Sequence, residues 1–263
     1  MTAETDLTFG QQLRIQGRVI WALTMREVIT RFGREGIGAF WLLAEPAMFV
    51  IGVTLIFSFT ESFGTYSVAE YMAVSYPTLL LWRNGTGRVM KSLDVNRALL
   101  HHQPIRPIDI IYSRILLEFA GASGSFIVLF VIFIQLGICQ WPANLLAMTL
   151  GYFLVVAFSF AFVMIMAALA ELSETIERIS HIITYLMLPF TGVFIPLFLV
   201  PQQFRGLLLY FPLIDAVEYF HFGYYGNRLP TFFHIGYTIF SITGMILVSY
   251  ALVNISVRKV QLS

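Results

Sequence analysis

Six long segments of this sequence consist mostly of apolar residues, and each is about as long as a bilayer is thick. A helix needs roughly 20 predominantly apolar residues to cross the hydrocarbon core. Charged residues make up only 12% of the chain, whereas soluble proteins carry about 25%, so the excess apolar surface must face lipid. The sequence therefore predicts an all-α integral membrane fold over residues 36–258, with six transmembrane helices at 38–60, 66–88, 110–139, 145–169, 179–200 and 233–257.

Two of these predicted spans are irregular. The second has a short apolar centre at 68–82, which Pro77 interrupts. We therefore expect this span either to include semi-polar residues at one end or to tilt into a packed site. The fifth contains Pro189, Gly192 and Pro196. Because proline removes a backbone donor, these residues predict a broken helix whose freed carbonyl groups are covered by protein or by a cavity.

The stretch between the fifth and sixth spans is too apolar for an ordinary solvated loop. Pro212, Gly223 and Gly226 interrupt it, and such residues are unfavourable inside a helix that would have to cross the whole bilayer. We therefore expect residues 201–229 to form two short re-entrant helices in the outer half of the membrane.

The basic residues are distributed asymmetrically about the predicted spans. Cytoplasmic loops of membrane proteins are enriched in lysine and arginine. With the amino terminus inside, 14 of the 16 basic residues lie on the inner side, and only Arg205 and Arg228 lie outside. Residues 1–35 also lack the apolar core of a secretory signal peptide. We expect both termini in the cytoplasm, and the net charge of +1 gives no reason to expect nucleic-acid binding.

Residues 1–35 form an amphipathic cytoplasmic segment before the first span. At 100° per residue its apolar side chains make two stripes that are rotated well apart, so we expect either a bend near Leu23 or Thr24 or two different burial surfaces. Two roles stay open: a helix lying on the inner leaflet, and a helix that also contacts a cytoplasmic partner. The stripes consist of Phe9, Leu13, Val19, Ile20 and Leu23, and of Trp21, Met25, Val28, Ile29 and Phe32.

The sequence lacks the motifs of common active sites. It has no G-x-x-x-x-G-K-[ST] sequence, which forms the phosphate cradle of nucleotide hydrolases, and no H-E-x-x-H zinc motif. Its histidines show no ligand spacing, and its one cysteine, Cys139, excludes an internal disulfide framework. We expect no catalytic residue, no metal site and no cofactor bound by this chain.

Acidic side chains avoid the centres of the predicted spans. A charge at mid-membrane costs at least about 2.5 kcal/mol, so ion-coupled transporters keep functional acids there. Glu45, Glu70, Glu118 and Glu171 all fall near span ends, which disfavours such a transporter. Glu118 follows Arg114 by four residues, so we expect these two side chains to form a structural pair on one helix face.

Several stretches occur in a fixed order along the chain: RVIWALTMRE at 18–27, TRFG at 30–33, FWLLAEP at 40–46, NRALLHHQPIRPID at 96–109, GVFIP at 192–196 and FPLIDAVEYF at 211–220. None of them is a catalytic signature. Together they resemble the six-span permease subunits of type 2 ABC exporters, and most closely the branch that exports capsular polysaccharide.

This resemblance implies an assembly that composition alone does not indicate. The permease is expected to be a homodimer in the bacterial inner membrane, with each copy on a separately encoded ATPase subunit that binds ATP and Mg²⁺. The implied substrate is a lipid-linked acidic polysaccharide, moved from cytoplasm to periplasm. A periplasmic co-polymerase and an outer-membrane channel are implied to continue the route.

If an ATPase drives this chain, force enters through cytoplasmic elements. The loop at 96–109 is stiffened by two prolines and suits a lever, and the amino-terminal helix is a second contact. The acidic turn around Glu174 is a third, although an ordinary solvated turn explains it equally well. The coupling candidates are Arg26, Glu27, Arg31, Arg97, His101, Gln103, Pro104, Arg106 and Glu174.

A path and an outer gate complete the predicted mechanism. We expect the first and fifth spans to border the path, and an arginine near its inner mouth suits an anionic cargo, although positive-inside anchoring also explains it. Two interpretations of the gate segment stay open. An interfacial aromatic belt explains any single aromatic residue, whereas a plug that seals the outer side of the path explains the segment as a whole. The path candidates are Trp41, Tyr71, Tyr76, Trp82 and Arg83, and the gate candidates are Tyr210, Phe211, Asp215, Glu218, Tyr219 and Tyr224.

Two alternatives stay open. The same fold could export O-antigen, teichoic acid or a drug. A membrane-embedded lipid-modifying enzyme would instead need histidine, aspartate or serine side chains that converge at one membrane depth, and the sequence shows no such convergence.

Overall fold

The computed structural model describes residues 8–32, 38–57, 67–90, 92–96 and 105–262. Over these ranges the chain is helical and has no β-strand, which confirms the all-α prediction. In the same ranges, short 3-10 turns lie at Leu188–Thr191, Leu197–Leu199 and Gly226–Arg228. The α-helices are α1 Phe9–Phe32, α2 Gly38–Phe57, α3 Val68–Val89, α4 Ser92–Val95, α5 Pro107–Gln135, α6 Leu145–Leu172, α7 Glu174–Met187, α8 Gln202–Leu209, α9 Pro212–Tyr225 and α10 Ile235–Leu262.

Within the described part of the chain, three helices are long and apolar enough to cross a membrane. They are α5, α6 and the part of α10 over Ile235–Arg258, which correspond to the third, fourth and sixth predicted spans. α2 contributes a shorter apolar stretch, Leu43–Val53. α3 differs from all of these because most of its residues are buried inside the protein.

Helix α6 lies at the centre of the described residues. It packs against α3, α9 and α10, and Ala161, Ala167 and Ala168 are buried along it. Small side chains let neighbouring helices approach closely in membrane proteins. Phe162 of α6 meets Trp82 of α3 edge to face, with ring centroids 5.8 Å apart, so α3 is fixed against the central helix.

Helix α1 packs mainly against α5 and is continuous through the position of the predicted bend. Its buried residues are Leu23 and Thr24, and the Thr24 hydroxyl lies 2.8 Å from the Ile20 carbonyl and 3.4 Å from the Ser113 carbonyl. These two residues anchor the helix on α5. Each apolar stripe keeps two exposed side chains, Phe9 and Leu13 in the first and Trp21 and Ile29 in the second.

The predicted break in the fifth span is present. α7 ends at Met187, just before Pro189, and the chain continues as a 3-10 turn. Gly192 then adopts φ +70°, a left-handed conformation that glycine takes without steric cost. The Tyr71 hydroxyl donates a hydrogen bond of 2.5 Å to the Gly192 carbonyl, so protein covers a carbonyl that the broken helix leaves free.

Residues 201–229 form two helices, as the sequence predicts, but in different environments. α8 is largely exposed, whereas 11 of the 14 residues of α9 are buried. α9 packs directly on α6 at two glycines, Gly151 and Gly223. A Cβ atom on Gly151 would lie 2.5 Å from the Phe220 Cα atom, so the two backbones are in contact and α9 is an interior helix.

Candidate coupling, path and gate sites

The coupling candidates on α1 make contacts within the chain. Arg26 Nη2 donates a hydrogen bond of 2.6 Å to Asn96 Oδ1 and lies 3.3 Å from Glu27 Oε1. Arg31 Nη1 lies 2.5 Å from Glu118 Oε1. All three candidates keep part of their surface exposed. α1 is thereby tied to the short helix α4 and to α5.

Glu118 joins three helices. It is buried, and its two carboxylate oxygens bind Arg31 of α1 and, at 2.9 Å, Arg88 of α3. The prediction that Glu118 pairs with Arg114 is wrong, because both oxygens are occupied by residues from other helices. Arg114 instead lies 3.6 Å from Glu27 and donates a hydrogen bond of 3.1 Å to the Arg88 carbonyl.

The remaining coupling candidates lie near the start of α5 or outside the described residues. Arg97, His101, Gln103 and Pro104 belong to residues 97–104, which the structure does not describe. Arg106 is exposed directly before α5, and its backbone N–H donates a hydrogen bond of 3.1 Å to Asp109. Gln16 of α1 bonds the same carboxylate at 2.9 Å. Glu174 is the first residue of α7, and its side chain is outside the description.

Three of the five path candidates are core residues. Tyr71, Tyr76 and Trp82 are buried, and the Tyr76 ring stacks on Phe49 at 3.8 Å. In this conformation they contribute no surface to a path. Aromatic residues at these positions suit both a path and a packed helix, so the sequence did not separate the two roles.

A cavity on the surface of α3 and α7 contains the candidate arginine. It has a volume of about 260 Å³ and is lined by Arg83, Asn84 and Arg88 of α3 and by His181 and Tyr185 of α7, among others. Trp41, the remaining path candidate, is exposed on α2. The described path candidates with accessible surface are therefore Trp41 and Arg83.

The acidic gate candidates fix the chain that follows α9. Asp215 accepts hydrogen bonds of 2.8 and 2.9 Å from the His234 backbone N–H and a further bond from the Thr238 hydroxyl. His234 immediately precedes α10, so Asp215 caps that helix from another element. Glu218 accepts a hydrogen bond of 3.1 Å from the Phe232 backbone N–H. Both carboxylates are buried and act as internal anchors.

The aromatic gate candidates divide between the surface and the core. Tyr210 is exposed and meets Tyr237 edge to face at 6.1 Å. Phe211 and Tyr219 are half-buried, whereas Tyr224 is fully buried. The aromatic residues of this segment thus share no single surface.

A polar cluster that the sequence analysis missed holds Tyr224. Its hydroxyl donates a hydrogen bond of 2.9 Å to buried Glu70 at the start of α3, and Arg228 Nη1 lies 3.3 Å from the same oxygen. Arg228 also donates a hydrogen bond of 2.8 Å to Gln140. Glu70 precedes Tyr224 by 154 residues, so no local spacing connects them.

A second unpredicted convergence lies deeper in the protein. Ser75 Oγ of α3 lies 2.7 Å from His221 Nε2 of α9, and His221 Nδ1 lies 3.8 Å from Glu218 Oε1. All three side chains are buried, and 3.8 Å is too long for a hydrogen bond. A nucleophile needs a cavity for its substrate, and these buried groups have no surface to offer one. The array is a polar contact between α3 and α9.

Comparison with known proteins places the chain among membrane transporters. The family model described as ABC-2 type transporter matches residues 18–225. The capsule polysaccharide export inner-membrane protein BexB of Haemophilus influenzae is 35% identical over 249 residues, which are 94% of each chain. CtrC of Neisseria meningitidis serogroup B, another capsule polysaccharide export inner-membrane protein, is 31% identical over 97% of each chain.

A more distant relative is the polysialic acid transport protein KpsM of Escherichia coli. It is 24% identical over 206 residues, which cover 78% of this chain and 80% of that protein. The family model spans most of the described helices, from α1 to the end of α9. On these matches the chain belongs to the ABC-2 type transporter family of membrane permeases.

Proposed function

We propose that this chain is the transmembrane subunit of an ATP-driven exporter that moves lipid-linked capsular polysaccharide from the cytoplasm to the periplasm. The observation that carries the proposal is the similarity over nearly the whole chain to inner-membrane proteins named for capsule polysaccharide export. The cavity that contains Arg83, Arg88 and His181 supports an anionic cargo, because guanidinium groups bind carboxylates and phosphates in two-pronged geometry.

We also propose six spans, with α3 as the second of them. Glu70 and Arg88, near its two ends, are separated by about 27 Å of helix at 1.5 Å per residue, which approaches the roughly 30 Å of a hydrocarbon core. Every residue from Tyr71 to Trp82 is buried, so protein rather than lipid surrounds this helix. That environment explains why α3 is less apolar than α5, α6 and α10.

The proposed topology predicts which residues a membrane-impermeant maleimide reaches. Asn227 and Arg258 are both exposed and lie on opposite sides in the six-span arrangement. In intact spheroplasts, Asn227→Cys should be labelled, whereas Arg258→Cys should be labelled only after permeabilisation. Labelling of Arg258→Cys in intact spheroplasts would contradict cytoplasmic termini.

The wild-type chain supplies the control for this experiment. Its single cysteine, Cys139, is buried in the turn after α5, and burial raises the pKa of the thiol to about 12. Maleimides react with the thiolate, which is scarce at neutral pH when the thiol pKa is that high. Unmodified protein should therefore stay unlabelled in both conditions.

We propose a homodimer with two ATPase subunits on its inner face. Apolar side chains on α2 and α7 are exposed in the single chain, among them Ile51, Leu55, Ile182 and Leu186, and these two helices correspond to the predicted first and fifth spans. The loop at 97–104 leads from α4 into α5, so motion of the loop would pass directly to the contacts of Asn96 with α1. ATP and Mg²⁺ would be bound by the ATPase alone.

Further partners and cargoes follow from the same proposal. A periplasmic co-polymerase and an outer-membrane channel would receive the polymer. O-antigen, teichoic acid or a drug is the alternative cargo. The hypothesis of a lipid-modifying enzyme is best supported by the buried side chains of Ser75, His221 and Glu218. These side chains lack the substrate cavity that such an activity needs.

Deletion of the gene in an encapsulated host tests the cargo. Polymer on the cell surface should fall to background while lipid-linked polymer accumulates inside, because synthesis continues without export. Both pools are measured chemically, and the wild-type gene supplied in trans should restore the surface polymer. Unchanged capsule together with loss of O-antigen, teichoic acid or drug resistance would contradict capsule export and favour the alternative cargo.

A further inference from the structure

A cavity of about 370 Å³ lies where α1, α3 and α5 meet. It is lined by Glu27, Arg31, Arg88, Arg114, Leu117 and Glu118. Together with Arg26, which contacts Glu27, four arginines surround two carboxylates. Glu45 of α2 adds a negative charge that acts on Glu118 at longer range, and the local balance is still positive. The cavity therefore favours an anion.

Two of the three lining arginines are explained by the fold. Arg31 and Arg88 lie in the last turns of α1 and α3, where the helix dipole favours positive charge. Both also bind Glu118 directly. Their positions and contacts account for them without a ligand.

Arg114 is not explained in this way. It lies in the interior of α5, and its guanidinium group makes one hydrogen bond, to the Arg88 carbonyl, and one ion pair of 3.6 Å with Glu27. Its charge also acts on Glu118 at longer range. Its Nε atom is buried and has no hydrogen-bond partner among the described residues. Since arginine presents five N–H donors, this side chain keeps unused donors at the cavity.

An exposed apolar stripe begins beside the cavity and follows α5 toward the other end of the membrane. Leu116, next to the lining residue Leu117, is followed at helical spacing by Ala120, Gly124, Ile127 and Val131, all exposed. The stripe from Leu116 to Val131 is about 22 Å long at 1.5 Å per residue, which exceeds the roughly 15 Å thickness of one leaflet. An acyl chain can therefore lie along α5 while its headgroup occupies the cavity.

We propose that this cavity binds the phosphate ester of an inner-leaflet lipid, with Arg114 as the main donor and the acyl chains on the exposed stripe of α5. The phosphate would also face Arg31 and Arg88, so a bound lipid would join the junction between α1, α3 and α5. The site does not depend on the proposed cargo, because any inner-leaflet phosphate ester has the required chemistry.

Native mass spectrometry of the chain copurified with its ATPase tests the site. Dipalmitoyl phosphatidylglycerol is compared with dipalmitoylglycerol, which has the same chains and no phosphate. The wild-type complex should bind dipalmitoyl phosphatidylglycerol about tenfold more tightly than dipalmitoylglycerol. This difference corresponds to the free energy of roughly one charge-assisted hydrogen bond. Arg114→Gln should abolish this preference, and Arg258→Gln, which removes an exposed arginine of α10, should retain it.

Three results would overturn the proposal. One is an unchanged lipid preference in Arg114→Gln, and another is equal loss in Arg258→Gln. The third is displacement of the lipid by millimolar inorganic phosphate, which would show that free phosphate occupies the site and that the stripe has no role. If Arg114→Gln does not fold, Arg114→Lys is measured in its place, because lysine keeps the charge without the planar guanidinium group. This variant should show a reduced preference for the phosphate lipid. A preference equal to that of the wild type would contradict the role of Arg114.

Discussion

Replacing Glu118 by glutamine is expected to destabilise the chain by about 2 kcal/mol and to separate ATP hydrolysis from export. Removing one partner of a fully buried ion pair costs about 3–5 kcal/mol, and we expect a lower cost here because Arg31 and Arg88 are partly exposed. Glutamine has nearly the same size, so the loss reflects charge rather than a cavity. The free energy of unfolding in detergent measures the first effect.

Export should fall even in the protein that remains folded. Glu118 holds α1 and α3 to α5, and α1 carries the coupling candidates Arg26 and Glu27. If the three helices no longer move together, the ATPase should continue to hydrolyse ATP while export falls about tenfold, a typical size for a lost coupling free energy. A variant that exports normally would contradict this role of Glu118.

A double-mutant cycle distinguishes the direct interaction between Arg31 and Glu118 from nonspecific destabilisation. Arg31→Gln and Glu118→Gln in one chain should destabilise it by about 1 kcal/mol less than the sum of the single changes, because the two side chains are in direct contact. Arg258→Gln combined with Glu118→Gln serves as the matched control and should be additive. Additivity in both pairs would show that Arg31 and Glu118 do not interact.

The sequence was sufficient for features that depend on composition and local spacing. Residues 145–169 were recognisable as a span because they carry no charge, and the break after Met187 followed from Pro189 and Gly192. The family followed from the order of several short motifs. These features are encoded by neighbouring residues, so they need no knowledge of the tertiary structure.

Contacts between distant helices were not predictable in the same way. The spacing of Arg114 and Glu118 suggested a pair on one helix, but arginines of α1 and α3 compete for the carboxylate and bind it more closely. Glu70 and Tyr224 meet only because α9 turns back against α3. A single sequence contains no signal for such a meeting.

The burial of α9 changes how the outer gate is understood. Its aromatic residues resemble an interfacial belt, yet Tyr224 and Phe220 are in the core, and Asp215 and Glu218 bind backbone N–H groups of the following segment. A helix fixed in this way moves as one unit with α6 and the start of α10. If the outer side opens, the exposed helix α8, with Tyr210 directly after it, is the better candidate for the moving part.

Gly223→Ala is expected to have a larger effect than any other single change considered. A Cβ atom at this position would overlap the backbone of Met148 in α6, and a backbone atom cannot turn aside as a flexible side chain can. Overpacking of a core costs about 1–3 kcal/mol, and more where nothing can shift, so we expect more than about 3 kcal/mol and little folded protein in the membrane. The yield of monodisperse protein in detergent and the surface polymer of the host measure this outcome.

Gly206→Ala is the matched control, because a Cβ atom on Gly206 of α8 would meet nothing within 4 Å. Alanine is favoured over glycine in a helix by about 1 kcal/mol, so this variant should be as stable as the wild type or more so. Equal yields of the two variants would contradict the direct contact between α6 and α9.

The contact cannot relax by moving α9 outward. The Gly223 and Tyr224 carbonyls accept hydrogen bonds of 2.8 and 2.9 Å from the backbone N–H groups of Asn144 and Ala143, and any displacement would break both. Gly151 meets Phe220 along the same pair of helices, so a tilt that relieved one glycine would press on the other. The cost of the methyl group must therefore appear as lost folding or as loss of the anchored position of α9, and export should fail in either case.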